Sequence, residues 1–250
     1  MGVLMSLLCI GLLMVVYEFL FRLASPGYAR GERARFNRLQ YEGQRRVIAI
    51  VKAYAGFRIR MDSSIPGKLP PTFLLISNHQ SLADIPVLAY SLPKHSIRFV
   101  AKKELGRGIP AFSSALRIGD HALIDRHGDF RAAQAELIRL AQRAREEGIC
   151  PVVFPEGTRS RTGQVGEFHS AAVRTILSRA KLPVLSVALG GGLKISHIGG
   201  LLKNLRNCVY RVRFLSLYPP ARTRGSVHRI LQQSHDEIVK QVELWKRQKT

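Results

Sequence analysis

Acidic side chains are scarce in this chain of 250 residues: 17 Asp and Glu stand against 39 Lys and Arg, a formal net charge of +22. That deficit points to an anionic partner, whether nucleic acid, an anionic bilayer or a phosphorylated substrate. Cysteines are few as well. Cys9, Cys150 and Cys208 are odd in number and share no metal-type spacing, which excludes a disulfide framework and fits a reducing compartment. There is no Gly-x-Ser-x-Gly elbow and no plausible catalytic cysteine, so a protein nucleophile of those kinds is excluded. Internal repeats and long low-complexity tracts are also missing. The positive charge is spread along the chain and no nucleic-acid-binding motif accompanies it, which argues against a nucleic-acid partner.

What is present begins with an apolar run. Met1 to Leu20 carry a single charged side chain, Glu18. About 20 such residues suffice to cross a hydrocarbon core. No Lys or Arg precedes the run and Leu23-Ala24-Ser25 is a poor cleavage site, so an uncleaved membrane segment is expected rather than a signal peptide. Arg22, Arg30, Arg33, Arg35, Arg38, Arg45 and Arg46 follow, against Glu32 and Glu42. Basic residues after a hydrophobic segment stay cytoplasmic and attract anionic head groups. The expectation is a membrane protein anchored at its N-terminus, with its catalytic part on the cytoplasmic face. Val47, Ile48, Ile50, Val51 and Tyr54 form a shorter apolar stretch, read either as an interfacial helix or as a helix packed on the folded domain. The turn-rich segment from Ser63 to Pro71 sets the expected boundary between an N-terminal anchoring region, 1–62, and a catalytic domain, 63–250.

Beyond that boundary strands and helices alternate, which argues for an α/β sheet. Strands are expected at Phe73–Ser77, Ile97–Ala101, Ala122–Ile124, Pro151–Phe154, Leu182–Leu189 and Tyr210–Phe214. A helix capped by Asp129 should stop at Gly148. Leu231, Ile238, Val242 and Trp245 mark a final amphipathic helix.

Two stretches carry chemistry. In Asn78-His79-Gln80-Ser81-Leu82-Ala83-Asp84, a His lies in a strand-to-helix loop and an Asp lies at the helix mouth. Folded back, Asp84 can accept a hydrogen bond from one imidazole nitrogen and leave the other free as a base. The plainer alternative has Asp84 capping the helix and His79 as an ordinary loop residue. In Phe154-Pro155-Glu156-Gly157-Thr158-Arg159, Gly157 permits close backbone approach, Thr158 offers a hydroxyl and Arg159 a planar fork for phosphate oxygens. Glu156 either holds that guanidinium or accepts from a substrate hydroxyl. The plainer alternative is a surface turn. Lys103 and Arg126 also lie just past strand ends, where ligands gather in open α/β sheets.

Together, His-x4-Asp, Ile124-Asp125-Arg126 and Phe154-Pro155-Glu156-Gly157-Thr158-Arg159 resemble the glycerolipid acyltransferase family, in its 1-acylglycerol-3-phosphate acyltransferase branch. The resemblance covers about Thr72 to Leu189. It implies a mixed sheet flanked by helices. It also implies transfer of a fatty acyl group from acyl-CoA or acyl carrier protein to the free hydroxyl of lysophosphatidic acid. In that scheme His79 is the base and Asp84 orients it. Glu156, Gly157, Thr158, Arg159, Arg126 and Lys103 hold the glycerol phosphate, and no metal or bound cofactor takes part. Leu123 stands where the family's second motif carries an aromatic, and Ser186 where its fourth carries a second Pro.

Overall fold

A computed structural model describes residues 1–62, 67–125 and 128–248. Arg126 lies outside the described residues, as does Ser63, where the domain boundary was placed.

Seven strands form one sheet in the order β1-β7-β6-β2-β5-β3-β4. They are β1 (Arg58–Met61), β2 (Leu74–Ser77), β3 (Ile97–Lys102), β4 (Ala122–Ile124), β5 (Cys150–Val153), β6 (Val184–Gly190) and β7 (Val209–Tyr218). β7 runs antiparallel to β6 and parallel to β1, and the other neighbours are parallel, so the sheet is mixed. β2, β5 and β6 are buried along their whole length, the pattern of strands covered on both faces. One face packs Leu75, Val152, Val187 and Tyr210 under α2 (Arg33–Ala55) and α3 (Asp84–Ser91). The other packs Leu74, Ile76 and Val184 under α5 (Phe130–Glu147), α6 (Ala171–Arg179) and α8 (Arg224–Arg247). The remaining helices are α1 (Gly2–Ala29), α4 (Phe112–Ile118) and α7 (Ile198–Asn204).

Local chemistry sets the boundaries of α5. Asp129 accepts from the Arg131 amide at 2.8 Å, and Gly148 closes the helix at φ 69°, where an L side chain is strained. The short strand β1 was not legible: Arg58-Ile59-Arg60-Met61 has one partly buried apolar residue, Ile59, and its partner β7 lies about 150 residues further along the chain, Arg58 facing Val209. The sheet therefore begins at Arg58, upstream of the expected boundary, with residues 67–77 returning the chain to its centre.

The N-terminal hairpin is fastened to the sheet domain. α2 buries Ile48, Val51 and Ala55 in the main core, which is the packed-helix alternative for that stretch. Glu18 accepts from the Ala111 amide at 2.8 Å, and Arg143 donates to the Tyr28 hydroxyl at 2.9 Å. Arg98, 2 % exposed, donates to the Gly119 carbonyl at 2.6 Å and to the Asn37 side chain. A buried guanidinium is tolerable only with its donors occupied in this way.

His121 sits in the same cluster. Its Nδ1 accepts from the Phe99 amide at 2.9 Å, and its Nε2 meets the Gln40 carboxamide at 3.0 Å. Burial, with Arg98 and Arg143 adding to it, holds this imidazole well below its ordinary range. His95 is held low by burial too. The unfolded chain takes up a proton on each below about pH 6.5. The folded chain refuses it, so stability present above that pH is lost on acidification. Each such group steepens the fall by up to about 1.4 kcal/mol per pH unit. Chemical denaturation in detergent should give a midpoint that drops from pH 7 to pH 5. His121→Gln should flatten that drop; an unchanged slope would show that His121 is not the group responsible.

Candidate active site

The strand ends do the positioning. β2 stops at Ser77, and the chain crosses the carboxyl edge of the sheet before α3 starts at Asp84. Two clasps shape that crossing. Asn78 donates to the Leu189 carbonyl at 3.0 Å and accepts from the Leu189 amide at 2.8 Å, which ties the loop to β6. Gln80 accepts from the Gly192 amide at 3.0 Å. His79 is thereby held between them.

His79 Nδ1 lies 2.6 Å from Asp84 Oδ2. The same oxygen accepts from the amides of Gln80 at 2.7 Å and Ser81 at 3.0 Å. Tyr210, near the start of β7, donates its hydroxyl to Asp84 Oδ1. Asp84 is fully buried, yet every partner is a donor, which suits an acceptor-only carboxylate. With Nδ1 committed as donor, the lone pair of the imidazole is on Nε2. The His79 side chain keeps 16 % of its surface exposed, enough to meet a substrate. Its ring stacks on Phe154, centroids 4.1 Å apart and planes 12° apart.

The second stretch meets the first directly. Glu156 Oε1 accepts from the His79 amide at 2.8 Å, and the Ser160 amide donates to the His79 carbonyl at 2.8 Å. Glu156 Oε2 accepts from the Gly166 amide at 2.9 Å. Both carboxylate oxygens thus serve backbone. Glu156 thereby staples the His79 loop to the following turn, a positioning role that the sequence reading, which gave it Arg159 or substrate as partner, did not include. Burial raises its pKa from the ordinary carboxylate value, and the two amides pull it back in part. Gly157 turns the chain at φ 70°. Thr158 and Arg159 stand exposed beyond it, and Arg159 Nη1 donates to the Ser196 carbonyl at 3.0 Å.

Lys103 is exposed at the start of the 3-10 turn that follows β3. A cavity of about 1010 Å³ opens between β4, β5, α5 and α6, reaching Asp125, Phe154, Pro155 and Gly157. Among the described residues no group of three or more His, Cys, Asp or Glu is arranged to hold a metal ion. Tyr210 escaped the sequence reading. It is one apolar residue among alternating arginines, and only the antiparallel pairing of β7 with β6 brings it beneath α3.

The family model described as Acyltransferase matches residues 60–190. A 1-acyl-sn-glycerol-3-phosphate acyltransferase of Cocos nucifera is 30 % identical over 133 residues, 53 % of this chain and 41 % of that protein. One from Helicobacter pylori strain J99 is 32 % identical over 122 residues, 49 % of this chain and 50 % of that protein. The chain thus spans about half the length of the curated relatives it matches. The crystal structure of the 1-acyl-sn-glycerophosphate acyltransferase PlsC from Thermotoga maritima superposes with a TM-score of 0.59 at 21 % identity, over 94 % of this chain and 96 % of that one, a likeness of fold. The His79–Asp84 pair and the Glu156 staple lie inside the matched segment, and the chain belongs to the Acyltransferase family.

Proposed function

We propose that the chain is a 1-acylglycerol-3-phosphate O-acyltransferase. It moves a fatty acyl group from acyl-CoA or acyl carrier protein to the sn-2 hydroxyl of lysophosphatidic acid and yields phosphatidic acid. The observation that carries this is the staple. A base oriented by a buried carboxylate shares its backbone with the loop that presents Arg159, so alcohol and phosphate can be served by one substrate.

In this reading Nε2 of His79 takes the proton of the acceptor hydroxyl as its oxygen attacks the thioester carbonyl. Asp84 stabilises the imidazolium that forms. The tetrahedral intermediate collapses, the C–S bond breaks, and the imidazolium returns its proton to the departing thiolate. Ester and free thiol leave in equal amounts, and neither metal nor bound cofactor is needed. Arg159, Thr158, Gly157, Lys103 and Arg126 remain the proposed phosphate-side residues, with Arg159 the best placed. The purified protein, given one acyl-CoA and a panel of lysolipids, should form phosphatidic acid from lysophosphatidate. Product from another lysolipid, and none from lysophosphatidate, would move the chain to a different acceptor. Arg159→Ala should raise KM for lysophosphatidate about 10–100-fold while kcat changes little, as expected for losing a charge-assisted contact of about 1.5–3 kcal/mol.

We also place the chain on an anionic phospholipid membrane. α1 is apolar and long enough to cross a bilayer, and exposes Leu4, Leu8, Leu12, Val15, Phe19 and Leu23. α2 lies beside it in antiparallel fashion, for Gly2 abuts Tyr54 and Gly43 abuts Tyr17. Spanning would carry Arg45 and Arg46 into hydrocarbon, at about 2.5–3.5 kcal/mol each. The hairpin therefore lies along the interface, its exposed α1 face in the acyl chains and its arginines toward head groups on the cytoplasmic side.

A further inference from the structure

α7 carries two apolar side chains that the described chain leaves uncovered. Ile198 is 79 % exposed and Leu202, one turn on, is 50 % exposed. Isolated exposed apolar residues are ordinary. Position and company distinguish these two.

Their position is at the mouth of the site. The Ser81 hydroxyl donates to the Ile195 carbonyl at 3.2 Å, and Arg159 holds the Ser196 carbonyl, so the entry to α7 is tied to both catalytic stretches. The exit is tied to the end of the hairpin and to the start of β1. The Asn207 amide donates to the Ala55 carbonyl at 2.7 Å, and the Arg58 amide to the Cys208 carbonyl at 2.9 Å. Leu201 packs on the same core as Val3 and Ile10 of α1. The tip of α7, the N-terminal end of α1 and the His79 loop therefore gather at one end of the molecule.

Their company is cationic. Lys194, Lys203 and Arg206 are exposed around the tip. No Asp or Glu occurs from residue 168 to residue 235. Exposed apolar side chains set among cations, in a stretch of chain without acids, complement an anionic lipid surface, where chains accept the first and head groups the second.

We propose that α7 is a second membrane contact, its Ile198 and Leu202 entering the interface of an anionic bilayer while Lys194, Lys203 and Arg206 meet the head groups. The proposal rests on the membrane reading of α1 and is independent of acyl transfer. With α1 on one side and α7 on the other, the His79 end faces the lipid surface, and a lipid acceptor reaches the base without leaving the bilayer.

Site-specific fluorescence tests it without any substrate. In the full chain carrying Cys9→Ser, with Cys150 and Cys208 buried, single cysteines replace Ile198, Leu202, Leu8 and Glu146 in turn and take an environment-sensitive fluorophore. Each is reconstituted into vesicles of phosphatidylcholine with or without phosphatidylglycerol. Brominated acyl chains should quench the probes at Ile198 and Leu202 as they do at Leu8, more strongly with phosphatidylglycerol present, while iodide should quench only the probe at Glu146. Quenching at Leu8 alone overturns the proposal and leaves the hairpin anchor standing. Quenching at neither site overturns both. Equal quenching in the two lipid mixtures overturns the role given to the three cations.

Discussion

His79→Ala is expected to lower kcat by about 10²–10⁴-fold, the usual contribution of a positioned general base. Folding should survive the change. The ring is partly exposed, and the backbone amide and carbonyl of residue 79, which bond to Glu156 and Ser160, do not depend on the side chain. What the ring does contribute to packing is its stack on Phe154, a pair worth about 0.5–1.5 kcal/mol. KM for lysophosphatidate should move little, because the residues proposed to hold the phosphate lie on the neighbouring loop. Steady-state kinetics beside a melting curve separates the cases. A stable His79→Ala protein with wild-type kcat would remove the base from the mechanism.

Asp84→Asn should cost activity on the same scale and stability as well. Four donors converge on this carboxylate: the His79 ring, two amides and the Tyr210 hydroxyl. An amide has one acceptor oxygen. With its NH2 group at the Oδ2 position it faces the His79 ring and two amides, all donors, and each buried polar group left unmatched costs about 1–3 kcal/mol; at the Oδ1 position it meets only the Tyr210 hydroxyl, which has to turn round to accept. The His79 ring also loses the carboxylate that stabilises its imidazolium and, where the NH2 group turns to it, the acceptor that fixes its tautomer, a change that costs about 10⁴ in a His-Asp pair of a different enzyme class. Tyr210→Phe removes only the hydroxyl at Oδ1, leaves His79 bonded, and should cost less in kcat than Asp84→Asn. Nitrogen NMR of the His79 ring checks the cause: the Nδ1–H tautomer should persist in Tyr210→Phe and be lost in Asp84→Asn. Equal tautomer populations in all three proteins would mean that Asp84 does not steer the ring.

Much of this site could be read before any coordinates, and the reason is local. His79 and Asp84 are five residues apart, and the geometry joining them is a single loop between a buried strand and a helix start. The helix from Asp129 to Gly148 was legible for the same reason, since its cap and its stop act within one turn. What escaped depends on contacts between distant residues. Tyr210 reaches Asp84 across 126 positions in sequence, and nothing in its own neighbourhood marks it. Glu156 was recognised as important, but its two backbone partners were not foreseen. A carboxylate three residues from an arginine suggests a local pair, and only the fold shows that the amides of His79 and Gly166 reach it. β1 escaped because an edge strand rich in arginine lacks the apolar alternation that betrays a strand.

Single-turnover thiol release tests the central claim most directly: the nucleophile is the acceptor's own hydroxyl, activated by His79. Enzyme in molar excess over acyl-CoA would be mixed rapidly with a thiol reagent, with and without lysophosphatidate. Direct transfer gives one thiol per phosphatidate formed and no release without the acceptor. A burst of thiol in the absence of acceptor, with acyl group retained on the protein, would contradict it.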